Sequence, residues 1–349
     1  MESKEYNVFH LDILRDTTEA APYAVVMQKP ELDQLLVSPT LHGRFAEQIR
    51  LLSKVSDLRG IWAMTRQWLV MAVACAGLYL LRGYPAWWWT LYPVIAIIVA
   101  SRQHALLGLM HDGTHYRLVR NRAINDLLSD LFCAFPIGLS TELYRRQHLL
   151  HHQYTNRDGD PYWVQMQAHE DWRWPKDHLA ALRLFASDLA GLCCHKTLLI
   201  LFQWSPFQPT SEKNKPLPQA DRIRFLIFVT SVMTMLTVTG FWLYFFLLWL
   251  LPLVTIFGAL IRLRSVAEHL ALPSEHELNS TRHVEATVLE RILLAPVNLN
   301  YHLAHHLFPS VPFYNLPKLH QTLLSDESFR EKAHITKTYF GGVLAEVTT

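Results

Sequence analysis

Three clusters of histidine are the residues in this sequence whose type and spacing could do chemistry. They are His111-Asp-Gly-Thr-His115, His148-Leu-Leu-His151-His152 and His302-Leu-Ala-His305-His306. At about 100° per residue, helical positions i and i+4 lie one turn apart on one face, and i, i+3 and i+4 fan across an arc of about 100°. Each cluster on a helix therefore aims its rings at a common centre, and His151 and His152 diverge on either side of His148. One such helix can offer ligands to two ions at once. Imidazole suits Zn, Cu, Fe and Ni alike, so ligand type alone does not choose the metal. The number of ligands says more: a tetrahedral site takes four and an octahedral site six, so these histidines exceed what one ion can use and imply two. A pair of irons facing a hydrocarbon would activate O2 and take hydrogen from an unactivated C–H bond, a task beyond acid-base side chains.

The remaining histidines divide by context. His269, in Ser265-Val-Ala-Glu-His269, stands at the end of an apolar stretch much as His111 does, and is a candidate ninth ligand. His104 lies nearer the apolar run before His111 and reads as packed or hydrogen-bonded. His10, His42, His169, His178, His195, His276, His283, His320 and His334 are isolated and read as surface or structural. Asn298, four residues before His302, would share the face of the third cluster on a continuous helix; it reads either as a residue reaching a metal through water or as a helix-capping amide.

Such clusters need elements to hold them, and the apolar residues supply these. From Phe225 to Ile261 there is no Asp, Glu, Lys, Arg or His. That run exceeds the roughly 20 residues of one membrane span and fits two short spans, about 225–239 and 241–261, turning near Thr239 and Gly240. An earlier pair, about 61–81 and 83–101, turns at Gly83 and Pro85 and is followed by Trp87, Trp88 and Trp89, as in an aromatic interfacial belt. The fold expected is all-α: four transmembrane helices in two hairpins, with a helical cap formed by 102–224 and 262–325 holding a histidine-rich dimetal site. Residues 1–60 read as a polar N-terminal segment with breakers at Pro22, Pro30 and Pro39, 61–325 as the membrane domain, and 326–349 as a C-terminal tail. A further interfacial helix is expected near Leu179–Phe202, ahead of a loop rich in Pro and Lys from Pro206 to Pro218.

The chain of 349 residues carries 32 Lys and Arg against 30 Asp and Glu, so no global field points to nucleic acid. Nearly all the Lys and Arg fall in the N-terminal segment and the cap, which the positive-inside bias places in the cytoplasm together with both termini and the metal site, at a bacterial inner membrane or the endoplasmic reticulum. The N-terminus carries Glu2, Glu5, Asp12 and Asp16 and does not read as a cleavable signal. Only 4 Cys occur and none is spaced for metal, which fits a reducing compartment.

In order and spacing, the three clusters resemble the histidine boxes of the integral-membrane fatty acid desaturase and hydroxylase superfamily. Flanking residues agree: His151-His152-Gln-Tyr-Thr-Asn156 with Asp160-Pro161 after the second cluster, and His306-Leu-Phe-Pro309 with Val311-Pro312 after the third. The resemblance implies a non-haem diiron centre and O2-dependent removal of two hydrogens from an acyl chain of a lipid, thioester or related lipophilic metabolite. It carries the box histidines over as iron ligands and likens His269 to an extra ligand found after the fourth span. Where some members have Asn four residues earlier, this chain has Ser265, which makes Asn298 a candidate substitute. The third box begins with His302 rather than Gln, unlike the front-end desaturases. Neither a His-Pro-Gly-Gly haem motif nor a Gly-x-Gly-x-x-Gly motif occurs, so electrons are expected from a separate ferredoxin, rubredoxin or cytochrome b5. Two other outcomes stay open: the same centre acting as a hydroxylase or carotenoid-type oxygenase, and a metal transporter or non-catalytic metal-dependent receptor. A transporter would place its ligands near mid-membrane, whereas the four expected spans lack histidine.

Overall fold

The computed structural model of the chain describes residues 38–162, 169–208 and 216–349. The segment before residue 38, with Pro22, Pro30 and His10, and part of the loop after Pro206 lie outside the described residues. Helix α1 (Ser38–Leu52) precedes α2 (Asp57–Leu80), whose first turn carries Asp57 against the positive end of the helix dipole. A short turn at Leu81–Gly83 leads into α3 (Pro85–Thr114), which opens on a proline preorganised for the first helical position. Helices α2 and α3 form the first hairpin. Both are long and apolar enough to cross a membrane, as are α8 (Gln219–Thr239) and α9 (Trp242–His269). The turn between α8 and α9 uses Gly240 at φ 72°, a left-handed cap that a residue with a Cβ adopts only at a cost. Helix α9 is not regular: Phe246–Leu250 is a π-turn and the chain breaks at Thr255 before Ile256–His269 completes it.

The second span runs well past the residue where its charge-free stretch ends. Arg102, Gln103 and His104 stay within α3 because all three are buried under the cap. Arg102 donates to Gln67 Oε1 on α2 at 2.9 Å and to the Ile292 carbonyl, joining both helices of the hairpin to the cap. His104 packs edge-on against Phe257, as its position suggested. The cap is built from α4 (Arg122–Ser129), α5 (Thr141–Tyr154), α6 (His178–Leu189), α7 (Cys194–Gln203), α10 (Val288–Leu293), α11 (His302–Leu307), α12 (Leu316–Leu323) and α13 (Glu327–Lys332).

In place of one interfacial helix over Leu179–Phe202, the structure has two, α6 and α7, bent by 75°. Gly191, at φ 76°, makes the break. Leu182 on α6, Leu192 in the turn and Leu199 on α7 remain exposed, while a buried ion pair from Arg262 to Asp188, at 2.5 and 3.1 Å, fastens α6 to the end of α9. Residues 326–349 fold back on the cap. There β1 (His283–Glu285) and β2 (Ile335–Lys337) pair in parallel, and Phe329, Val343 and Val347 are fully buried.

Candidate metal centre

The C-terminal ends of α3 and α9 deliver the first candidate ligands. His111 and His115 lie at the end of α3, and His269 closes α9. Arg145 secures that end of α3: its Nε donates to the Thr114 carbonyl at 2.9 Å and its Nη2 to the Gly113 carbonyl at 3.2 Å, while Asp126 and Glu142 hold the guanidinium. A cation at a helix C-terminus also meets the negative end of the dipole. Ser140 caps α5, which carries His148, His151 and His152. Helix α11 carries His302, His305 and His306, and the segment leading to it lies so close to α3 that a Cβ on Gly108 would stand 2.8 Å from Val297 Cγ2.

These elements gather nine imidazoles into two groups. His111, His115, His148, His152 and His305 form one; His151, His269, His302 and His306 form the other, and within each group one nitrogen per ring lies within 4.8 Å of the rest. Helix α5 serves both groups, as the divergence of His151 and His152 implied, and α11 does the same through His305 on one side and His302 with His306 on the other. His152 and His306 stack across the divide with ring centroids 4.2 Å apart.

The donor set fits metal ions. Two ligand nitrogens each about 2.0–2.1 Å from one ion are about 3 Å apart when they subtend a right angle. The Nε2 atoms of His115 and His148, His148 and His152, and His152 and His305 are separated by 3.0, 3.0 and 3.1 Å, and those of His269 and His302 by 2.8 Å. Nε2 of His111 and of His306 is buried without a hydrogen-bond partner among the described residues, a costly arrangement that a metal ion would relieve. Protonation also fits. Burial, reinforced by neighbouring imidazoles, holds His148, His152, His302, His305 and His306 well below the usual imidazole range. Burial beside Arg117 and Arg145 pushes His115 down to about 3. Neutral rings are the ligating form.

Asn298 sits elsewhere. Val297 and Asn298 have φ of 52° and 62°, so the backbone before α11 is not helical and the shared face assumed for Asn298 and His302 does not exist. Its Nδ2 donates to the Phe313 carbonyl at 3.0 Å, and α11 has no side-chain cap, so the amide does not cap that helix. Several residues to which no role had been given surround the ligands: Asp160 at His151, Thr155 at His306, and Glu268, bound by Arg264, at His302. Tyr144 stacks on His148 and Tyr162 on His151. The proximity of Asp160 and Thr155 to the second cluster was the available signal. His283 and His320, isolated in sequence, meet as a buried pair with centroids 3.9 Å apart.

Four membrane-length helices with convergent neutral imidazoles at one end define a membrane protein equipped to bind metal ions through histidine. Within that class the chain belongs to the fatty acid desaturase family, whose profile matches residues 86–337. It is 27% identical over 256 residues to a dihydrorhizobitoxine desaturase of Bradyrhizobium elkanii, covering 70% of this chain and 71% of the relative. An sn-1 oleoyl-lipid 12-desaturase of Anabaena variabilis is 24% identical over 309 residues, with 83% and 84% covered. A human sphingolipid delta(4)-desaturase/C4-monooxygenase is 26% identical over 270 residues, with 75% and 73% covered. Membership of this family makes the chain an oxidoreductase.

Proposed function

We propose that the chain is an O2-dependent membrane diiron desaturase that introduces a C=C bond into the acyl chain of a lipid, thioester or related lipophilic metabolite. The observation that carries this reading is the convergence of His111, His115, His148, His151, His152, His269, His302, His305 and His306 into two groups at the ends of membrane-length helices. Two irons bound there would supply the O2-driven oxidation that removes hydrogen from an unactivated C–H bond. The protein's part is to hold: buried rings stay neutral and present Nε2, Arg145 locks the end of α3, and Asp160 and Thr155 fix the rings of His151 and His306. Because the ligands stand where α3 and α9 leave their apolar stretches, an acyl chain lying between the helices would meet them without its head group leaving the interface.

Removing two hydrogens while reducing O2 to water consumes two further electrons. These come in this reading from a separate ferredoxin, rubredoxin or cytochrome b5, and the centre faces the cytoplasm with both chain termini. Expression in a host with a suitable reductase, followed by lipid and metabolite profiling, tests the assignment: a product lighter by two hydrogens supports it. A product heavier by one oxygen instead selects a hydroxylase, an outcome kept open by the desaturase/monooxygenase relative. Placement of the substrate by about an ångström separates these outcomes, a scale that matters in catalysis. Purified protein that binds one zinc and no iron would refute the diiron reading.

A further inference from the structure

We propose that Asp160 and Thr155 make the four-histidine group the firmer of the two metal sites, each acting as a positioning residue for one ligand; this rests on the dimetal reading above. Asp160 is fully buried, and both its oxygens lie near His151 Nδ1, at 3.0 and 2.9 Å. Two backbone donors hold the carboxylate from the other side: Asn156 N–H to Oδ2 and Tyr162 N–H to Oδ1, each at 2.9 Å. A carboxylate so fixed accepts Nδ1–H of His151, which leaves Nε2 as the unprotonated atom facing the other three histidines.

Thr155 does the same for His306 by a hydroxyl. Its Oγ1 donates to the His151 carbonyl at 2.8 Å, so its lone pair is free to accept from His306 Nδ1 at 3.2 Å. That choice of tautomer leaves His306 Nε2 unprotonated, and Nε2 is the buried atom without a partner among the described residues. Asn156 ties a third ligand into the same network, its Nδ2 donating to the His269 carbonyl at 3.0 Å and to the Ser280 carbonyl at 2.8 Å. The five-histidine group differs. Nδ1 of His148 and Nδ1 of His152 are buried with no hydrogen-bond partner among the described residues, so no bond at Nδ1 selects the tautomer of these two rings, whereas His269 is the one ring of the four-histidine group in that state. Before an ion binds, those rings sample the tautomer with Nε2–H facing the centre, whereas His151 and His306 are already set. The four-histidine group should therefore fill first and release last, although it has fewer ligands.

The test is iron stoichiometry and the time course of iron release to a colorimetric chelator, measured on purified full-length protein. Wild type is expected to hold two irons per chain and release them in two phases of equal amplitude. His148→Ala should remove the fast phase and keep the slow one. Asp160→Asn should remove the slow phase or leave about one iron per chain, in line with the 10- to 100-fold loss of metal affinity typical when such a partner is mutated. Thr155→Val should accelerate the slow phase by a smaller factor, and it decides the matter if Asp160→Asn fails to fold. Either variant with two irons and an unchanged slow phase overturns the proposal, as does loss of the slow phase in His148→Ala. Wild-type protein that retains no metal overturns the dimetal reading itself.

Discussion

Gly113 stands inside the first histidine cluster, and Gly113→Ala puts the packing of the whole centre to a test. A Cβ at this position would lie 2.3 Å from Ser129 Oγ, 2.9 Å from Ser129 Cβ and 3.3 Å from Leu118 Cδ1. Rotating the Ser129 hydroxyl away does not relieve the contact with its Cβ, since carbon atoms pack favourably at about 3.5–4.0 Å. Ser129 is fully buried, and its hydroxyl lies 2.9 Å from that of Thr141, the first residue of α5. The added methyl therefore pushes α3 away from the start of the helix that brings three ligands. On propensity alone, Ala for Gly within a helix stabilises by about 0.8–1.0 kcal/mol. Overpacking a filled site costs about 1–3 kcal/mol, so the net expectation is a loss of about 0–2 kcal/mol with reduced iron per chain. Thermal unfolding in detergent and metal analysis read both quantities. Adding Ser129→Gly opens the space and should restore iron content to the double variant, a coupling of the size found between contacting residues, about 0.5–3 kcal/mol. Gly113→Ala that is more stable than wild type with full iron, or a double variant with no coupling, would refute the reasoning.

His305→Ala removes one of the five imidazoles of its group and should abolish product while leaving the protein in the membrane fraction; retained turnover would take α11 out of the site. Removing one partner of the buried Arg262–Asp188 pair leaves an uncompensated charge, so Asp188→Leu should lower stability by about 3–5 kcal/mol, and Asp188→Leu with Arg262→Met should recover most of it. Burial holds His283 down to about 3 and His320 down to about 4, below the value of about 6.5 in the unfolded chain. The native state thus binds fewer protons than the unfolded one, and metal-free protein should lose stability as pH falls from about 6.5 to 4, with a shallower fall in His320→Phe. Asn298→Gly, which suits φ of 62°, should keep full iron content, whereas a residue that reached a metal through water could not be lost without a change in iron binding.

Much of the architecture is written locally. A charge-free run longer than one span, broken at Gly240, specifies a hairpin because lipid demands that each segment satisfy its own backbone. The end of α3 is not local in this sense. Arg102 reads as the edge of the membrane until its partners on α2 and at Ile292 are known, and these lie far away in sequence. The same division runs through the site. Spacing within each cluster is enough to aim its rings, since the intervening residues of α5 and α11 are helical and the angular rule then holds without further information. Applied to Asn298 and His302, the rule fails, because Asn298 itself and Val297 before it are left-handed, and nothing in a non-glycine pair such as Val297-Asn298 fixes that conformation from sequence. Asp160 escapes the rule for the opposite reason. It lies beyond the end of α5, and the turn through Asn156, at φ 55°, and Gly159, at φ 94°, brings its carboxylate back to His151. Histidines that sit on regular helices and converge are therefore visible from spacing, while the groups that hydrogen-bond their rings sit on the irregular backbone between helices and become visible only once the chain is folded.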